Sequence, residues 1–265
     1  MSNWAYSTAG FDREVYRIDG VESVVYAIGP EDAPAVVYFH GGGTFHGFEW
    51  MREFADDFRM ISPIHPGFGE SGDGDIASMD DYVTHYEMLF AALGLENFHL
   101  IGASMGGHMA ARYAGEHADE IESLILVSPA GLKSDKVAIP DWSKIAPADM
   151  RAMFVESLDW LEPFWPAEPD AQWLALRQRE GAMAMQIRED LDAVDAKTRA
   201  ALAGFDRPTL LLWGSADQVV PQEFIPVWQD VLPKAGVALI PGGAHLLLDE
   251  NAASRKAAKD FLLAN

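Results

Sequence analysis

One stretch limits this chain more than any other: Gly102-Ala103-Ser104-Met105-Gly106. The apolar run Phe98 to Ile101 leads into it, and a helical pattern from Met105 to Glu116 leads out. A Gly-x-Ser-x-Gly turn between a buried strand and a helix is so sharp that its serine is strained and its hydroxyl exposed. Glycine is needed at 102 and 106 because side chains there would collide across the turn. Ser104 Oγ then sits at a helix N-terminus, where the unpaired N–H of Met105 and the helix dipole favour developing negative charge. The five letters alone fit an incidental serine in a glycine-rich turn. The flanking strand and helix, and the distant partners described below, favour a nucleophile.

The rest of the composition narrows the setting. With 265 residues, 49% of them apolar, the chain suffices for one large domain or a core with an insertion. No apolar run approaches the ~20 residues of a membrane span. Met1-Ser2-Asn3-Trp4-Ala5-Tyr6 shows no basic segment followed by an apolar one, so a cytoplasmic protein without a signal peptide is expected. The absence of cysteine excludes disulfides, thiolate catalysis and zinc–sulfur sites. A formal charge of −22, from 41 acidic and 19 basic residues, would repel nucleic acid and anionic membrane and leaves a small molecule as the expected partner. The eight histidines are scattered and no His-Glu-x-x-His run occurs, so neither a metal nor a cofactor is implied.

In chain order, Glu14–Ile18 and Ser23–Ile28 read as strands joined by an Asp19-Gly20 hairpin turn. Ala35 to Phe39 reads as an interior parallel strand. It runs into His40-Gly41-Gly42-Gly43-Thr44-Phe45-His46-Gly47, where the glycines let backbone approach a ligand closely. A loop of this type after the third strand supplies an oxyanion-hole N–H, with Gly42 the first choice and Gly43 the second. His40 is expected to be structural, and Phe45, His46 and Trp50 to line a pocket. After a short helix, Glu49 to Asp56, and a strand, Arg59 to Ile64, comes Pro66-Gly67-Phe68-Gly69-Glu70-Ser71-Gly72. It contains Gly-x-Gly-x-x-Gly but continues as loop through Asp73-Gly74-Asp75, so the dinucleotide reading is set aside. Met79 to Leu93 is helical and Gly94 ends it. Ile121–Val127 is the next strand.

Residues 129–206 break the strand–helix rhythm. Pro147 opens one helical pattern and Asp170 caps another. A structureless loop of this length is improbable in a compact domain, so a helical insertion is expected between core segments 1–128 and 207–265. Large apolar groups such as Trp142, Phe154, Trp160, Phe164, Trp165 and Met183 are too many for so small a unit to bury alone. Some must face the main domain, which predicts an apolar cleft over Ser104. The rhythm returns with Pro208 to Trp213, then Val237–Ile240 and a helix from Asn251 to Leu263.

Ser104, Asp217 and His245 each fall just beyond the C-terminal end of a predicted parallel strand, the edge at which open parallel sheets bind ligands. A serine hydroxyl needs a base, which His245 provides, and Asp217 would hold the imidazole in the right tautomer. The N–H groups of Met105 and Gly42 would bind the oxyanion. His108, one turn along the helix from Ser104, points away from the exposed tip and is rejected as the base. The loop Ser128-Pro129-Ala130-Gly131 has no rival carboxylate.

On these pieces the chain resembles the α/β-hydrolase fold superfamily, in its branch of helically capped serine hydrolases. The matching segments are His40-Gly41-Gly42-Gly43, Pro66 to Ser71, Gly102 to Gly107, Trp213 to Asp217 and Gly243-Ala244-His245. The resemblance implies an α/β fold with an eight-stranded, mostly parallel sheet and a Ser104–Asp217–His245 triad. Members often carry Asp where this chain has Ile64. Epoxide hydrolases and haloalkane dehalogenases of the fold use an Asp nucleophile, which Ser104 argues against. Carbon–carbon hydrolases of the fold carry Trp after the catalytic His, where this chain has Leu246, and use a cap-region Arg; Arg151, Arg177, Arg179 and Arg188 are available. The leading expectation is a serine hydrolase of an ester, thioester or lactone. Carbon–carbon cleavage of a dienolic diketone is the alternative within enzymes, and a non-catalytic ligand-binding protein the alternative outside them.

Overall fold

Eight strands form one sheet in the computed structural model of the chain, which describes residues 7–137, 139–140, 144–187 and 190–265. The strands are β1 (Asp12–Ile18), β2 (Val21–Ile28), β3 (Ala35–Phe39), β4 (Arg59–Pro63), β5 (Phe98–Ala103), β6 (Ile121–Val127), β7 (Thr209–Gly214) and β8 (Gly236–Ile240). Their order is β1-β2-β4-β3-β5-β6-β7-β8. The β1–β2 and β2–β4 pairs are antiparallel and every other pair is parallel. The eight-stranded, mostly parallel sheet inferred from sequence is therefore present. Asp19 and Gly20 both take positive φ, 45° and 83°, as the tight β1–β2 turn requires.

The strand sequences explain their places. β5, β6 and β7 are mostly apolar and their residues almost all buried, as expected of strands covered on both faces. β1 has mostly exposed side chains and stands at the edge. Helices α1 (Met79–Leu93) and α2 (Met105–Glu116) pack against each other, and α2 lies on β5 and β6. Ser78 and Asp81 close a reciprocal capping box at the start of α1, and Gly94 ends it at φ 70°. The helix expected from Glu49 is only a five-residue 3₁₀ turn, Glu49–Glu53. It turns Trp50 inward against Tyr38, ring centroids 4.9 Å apart, so Trp50 is core and not a pocket residue.

Between β6 and β7 the described residues form α3 (Pro147–Phe154), α4 (Leu158–Leu161), α5 (Ala171–Gln186) and α6 (Leu191–Ala201). The Asp170 carboxylate caps α5 by accepting from the Trp173 N–H at 2.8 Å. A small apolar cluster joins Val155 and Leu161 to Phe154, Trp160, Phe164 and Trp165. Phe45, from the loop after β3, and Leu246, next to His245, complete it. The segment thus buries its aromatics partly against the sheet domain. Trp142 and Arg188 lie outside the described residues. The chain ends with α7 (Ile225–Val231), α8 (Leu247–Glu250) and α9 (Ala252–Leu263). No helix among the described residues is long and apolar enough to cross a membrane.

Candidate active site

Parallel register brings the candidate residues to one edge. Phe39 pairs with Gly102, Ala103 with Val127, Val127 with Leu212, and Gly214 with Ile240. The chain segments leaving β3, β5, β7 and β8 therefore emerge side by side. They carry the glycine loop, Ser104, Asp217 and His245.

Ser104 sits in the strained turn that its surroundings predict, at φ 54° and ψ −117°. Holding a non-glycine residue there costs on the order of 1–3 kcal/mol, offset by the packing around it. A side chain at Gly102 would meet the Gly106 carbonyl at 2.3 Å, the collision across the turn expected from sequence. Gly106 is needed for a different reason: a Cβ there would lie 2.2 Å from the carbonyls of Phe39, at the end of β3, and His40, just beyond it. Ser104 is half-buried while Met105 and the residues after it are buried. Met105 opens α2, so its N–H has no partner within the helix.

Asp217 and His245 meet because β7 and β8 end in backbone contact. A Cβ at Gly214 would stand 2.2 Å from the Gly243 carbonyl, and Ala216 N–H donates to that carbonyl at 2.9 Å. His245 Nδ1–H then donates to Asp217 Oδ2 at 2.8 Å. The other carboxylate oxygen accepts the Val219 and Val220 N–H groups at 2.8 and 2.9 Å. Burial pushes the Asp217 carboxyl up, but the facing His245, the Ser128 hydroxyl and the Val220 N–H outweigh it, so its pKa lies below the ordinary value. An ionised Asp217 fixes the proton on Nδ1 and leaves Nε2 as a base. Phe154 packs edge-on against the His245 ring, centroids 5.6 Å apart. Among the described residues the hydrogen bonds run from His245 to Asp217 but not from Ser104 to His245.

The glycine loop passes beside the serine: a Cβ at Gly41 would stand 3.4 Å from Ser104 Cβ. His40 is buried and structural. Its Nδ1–H donates to the Gly41 carbonyl at 2.7 Å and its Nε2 accepts the His65 N–H at 3.1 Å. Desolvation and the adjacent His65 keep its pKa well below the usual imidazole value. Burial likewise pulls His65 down to about 3. Because a peptide is planar and trans, anchoring the Gly41 carbonyl also fixes the direction of the Gly42 N–H.

Ser104, His245, Gly41, Gly42 and Gly43 share the wall of one cavity of about 320 Å³. Phe45 and His46 line it as expected, with Phe154 and Trp165 from the inserted helices, and Met185 and Leu191 are exposed apolar residues of its wall. His108 is buried and also reaches this wall, beneath Gly131. Two side chains at the cavity and its loop, Asp249 and Glu180, were not singled out from the sequence, and a third, Arg177, was named there without a place. Asp249 accepts a 3.1 Å bond from His46 Nδ1. Arg177, among the arginines left unplaced, lies at the cavity beside Gly42 and Gly43. Glu180, fully buried on α5, bonds the loop itself at Thr44. The available signal was the Arg177–Glu180 pair, spaced to share one helix face with Met183 and Ala184. No group of three or more potential metal-ligating side chains occurs among the described residues.

The model of a family described as alpha/beta hydrolase fold matches residues 34–156. Lipase 1 of Psychrobacter immobilis is 27% identical over 246 residues, which span 86% of this chain and 77% of the lipase. A 2-hydroxy-6-oxo-6-phenylhexa-2,4-dienoate hydrolase of Comamonas testosteroni is 33% identical over 118 residues, 40% of each chain. The solved structure of the enzyme of that name from Rhodococcus sp. strain RHA1 superposes with a TM-score of 0.79 at 17% identity, covering 96% of this chain and 99% of the other.

Proposed function

The chain belongs to the α/β-hydrolase fold superfamily, and from that premise we propose that it is a serine hydrolase of carboxylic esters, thioesters or lactones with an apolar part. The observation that carries this reading is the His245–Asp217 hydrogen bond on the wall of the cavity that also holds the strained Ser104. Ser104 Oγ attacks the substrate carbonyl carbon as its proton passes to His245 Nε2. The carbonyl π electrons move to oxygen, and the Gly42 and Met105 N–H groups hold that oxyanion. Collapse expels the alcohol or thiol, which takes the proton from His245, and leaves an acyl ester on Ser104. Water then attacks the acyl carbon, giving its proton to His245, and the acid leaves as Ser104 regains its hydrogen. In this reading residues 129–206 are a cap over a core of 1–128 and 207–265, and the Phe45, Phe154 and Trp165 walls take the apolar part of the substrate.

Carbon–carbon hydrolysis is the second reading, favoured by Arg177 at the cavity and by the named dienoate hydrolases. The ester reading is preferred because the Arg177 charge is already paired with Glu180 at 2.7 Å. Hydrolysis of p-nitrophenyl esters of graded acyl length, beside Ser104→Ala, tests it. Saturable turnover that vanishes in the variant is the expected result. Negligible ester turnover with rapid bleaching of a coloured dienoate would transfer the assignment to carbon–carbon cleavage.

A further inference from the structure

The loop that supplies the oxyanion donor is made of the residues least able to hold their own conformation. Gly41, Gly42 and Gly43 have no Cβ to restrict φ and ψ, so nothing in the loop itself keeps its N–H groups aimed at the oxyanion. Each peptide of the loop is instead anchored by a side chain. The Gly41 carbonyl is held by His40. The next carbonyl, that of Gly42, accepts from Arg177 Nη1 at 3.3 Å. The Thr44 N–H and hydroxyl both donate to Glu180, the hydroxyl at 2.6 Å and the N–H at 3.3 Å to Oε1. Two of these three anchors come from α5, 135 and 136 positions away in sequence.

Glu180 is the centre of this arrangement. It is fully buried, and its carboxylate gathers Thr44, the Gly69 N–H at 3.1 Å and Arg177 Nη1 at 2.7 Å. A buried carboxylate is costly unless every lone pair is used, so its partners have to stay in place. The Arg177 guanidinium carbon lies over the Phe45 ring, 4.8 Å from its centroid, and Nη1 is so close to Gly43 that a Cβ there would sit 2.0 Å from it. The Arg177 and Glu180 side chains thus fill the space between helix and loop, and a Cβ at Gly43 would have to displace the Arg177 guanidinium.

We propose that Glu180, acting with Arg177, is a positioning residue that sets the oxyanion loop Gly41–Thr44 from the inserted helix α5, so that the hole keeps its geometry only while this pair engages the loop. The proposal rests on the serine-hydrolase reading and adds to it a coupling between helix and chemistry. Arg179 supplies the control. It ties α5 to the loop after β4, through the carbonyls of Gly69 and Ser71 at 3.0 and 2.6 Å and through Asp73 at 2.6 Å, and none of these bonds reaches 41–44.

Glu180→Gln keeps the size and an oxygen for Thr44 and Gly69 but loses the charge that holds Arg177, and Glu180→Ala removes all the contacts. Complete loss of an oxyanion donor costs about 10²–10³ in kcat, and misplacement by about 1 Å costs up to 10²-fold. For p-nitrophenyl butyrate the expected falls in kcat are therefore about 10-fold for Gln and about 100-fold for Ala, with KM within about 2-fold. Amide hydrogen exchange across 41–47 should accelerate in both variants while α2 stays protected. Arg179→Gln should lower the melting temperature and leave kcat within about 2-fold. Unchanged kcat in folded Glu180→Gln, a loss confined to KM, or an equal kcat loss in Arg179→Gln overturns the proposal. Should Glu180→Ala fail to fold, Gln and the exchange measurement carry the test. A native chain that is active and dependent on Ser104 but indifferent to Glu180 sinks the coupling alone. Equal turnover by native protein and Ser104→Ala sinks both readings.

Discussion

Replacing Asp217 by Asn changes one atom and has a forced consequence here. Asp217 Oδ1 accepts two backbone N–H groups, from Val219 and Val220, while Oδ2 accepts from His245 Nδ1. An amide NH₂ in the Oδ1 position would face two donors, losing two buried hydrogen bonds at about 1–3 kcal/mol each for the groups left unpaired. The amide therefore keeps its oxygen at Oδ1 and turns its NH₂ to His245. Nδ1 must then accept, which moves the imidazole proton to Nε2 and removes the lone pair needed by Ser104. The expected loss in kcat is about 10³–10⁴-fold, the cost of a wrong tautomer in such a triad, with KM little changed. Steady-state hydrolysis of the best p-nitrophenyl ester, with a melting curve as the check on folding, measures it. The stability arm has a definite sign. The Asp217 pKa is depressed in the fold, so its contribution is complete above the unfolded value of about 3.9. It disappears as pH falls through the lower folded value. The stability difference between native and Asn proteins should close along that acid limb. A folded Asp217→Asn enzyme within 10-fold of native kcat would refute the tautomer argument.

Two glycine substitutions are expected to act in opposite directions. Gly106→Ala puts a methyl 2.2 Å from two carbonyls of β3 and its loop; reaching a contact near 3.5 Å requires a shift of about 1.3 Å, which should cost about 3 kcal/mol and roughly 6 °C in melting temperature. Activity should fall further than stability, because the displaced strand end carries Gly41 and Gly42, and melting curves beside kcat will separate the two effects. Gly181→Ala, in mid-α5 with nothing within 4 Å of the added methyl, should stabilise the protein by about 0.5–1 kcal/mol through helix propensity; a lower melting temperature would contradict that environment.

What the sequence disclosed follows from how local the underlying physics is. The elbow at Ser104 is dictated by Gly102 and by the strand and helix on either side of it, and these are contiguous. The ends of β7 and β8 were found from apolar runs and glycine punctuation, which placed Asp217 and His245 at the same edge. Gly106 was recognised for the wrong neighbour, because the obstructing carbonyls of Phe39 and His40 come from the end of β3 and just beyond it, more than sixty residues earlier. Trp50 was misplaced because the turn over 49–53 is 3₁₀ and short, which directs the indole into the core. Glu180 and Arg177 were out of reach for a stronger reason. An acid and an arginine three apart on a helix read as a solvated ion pair, and only the seating of α5 on the glycine loop turns that pair into a buried clamp.

The central claim is that Ser104 is an activated nucleophile open to the cavity, and intact-mass spectrometry after incubation with a fluorophosphonate probe tests it most directly. One adduct per chain is expected on the native protein and none on Ser104→Ala. No adduct on the native protein, or an equal adduct on the variant, would contradict it.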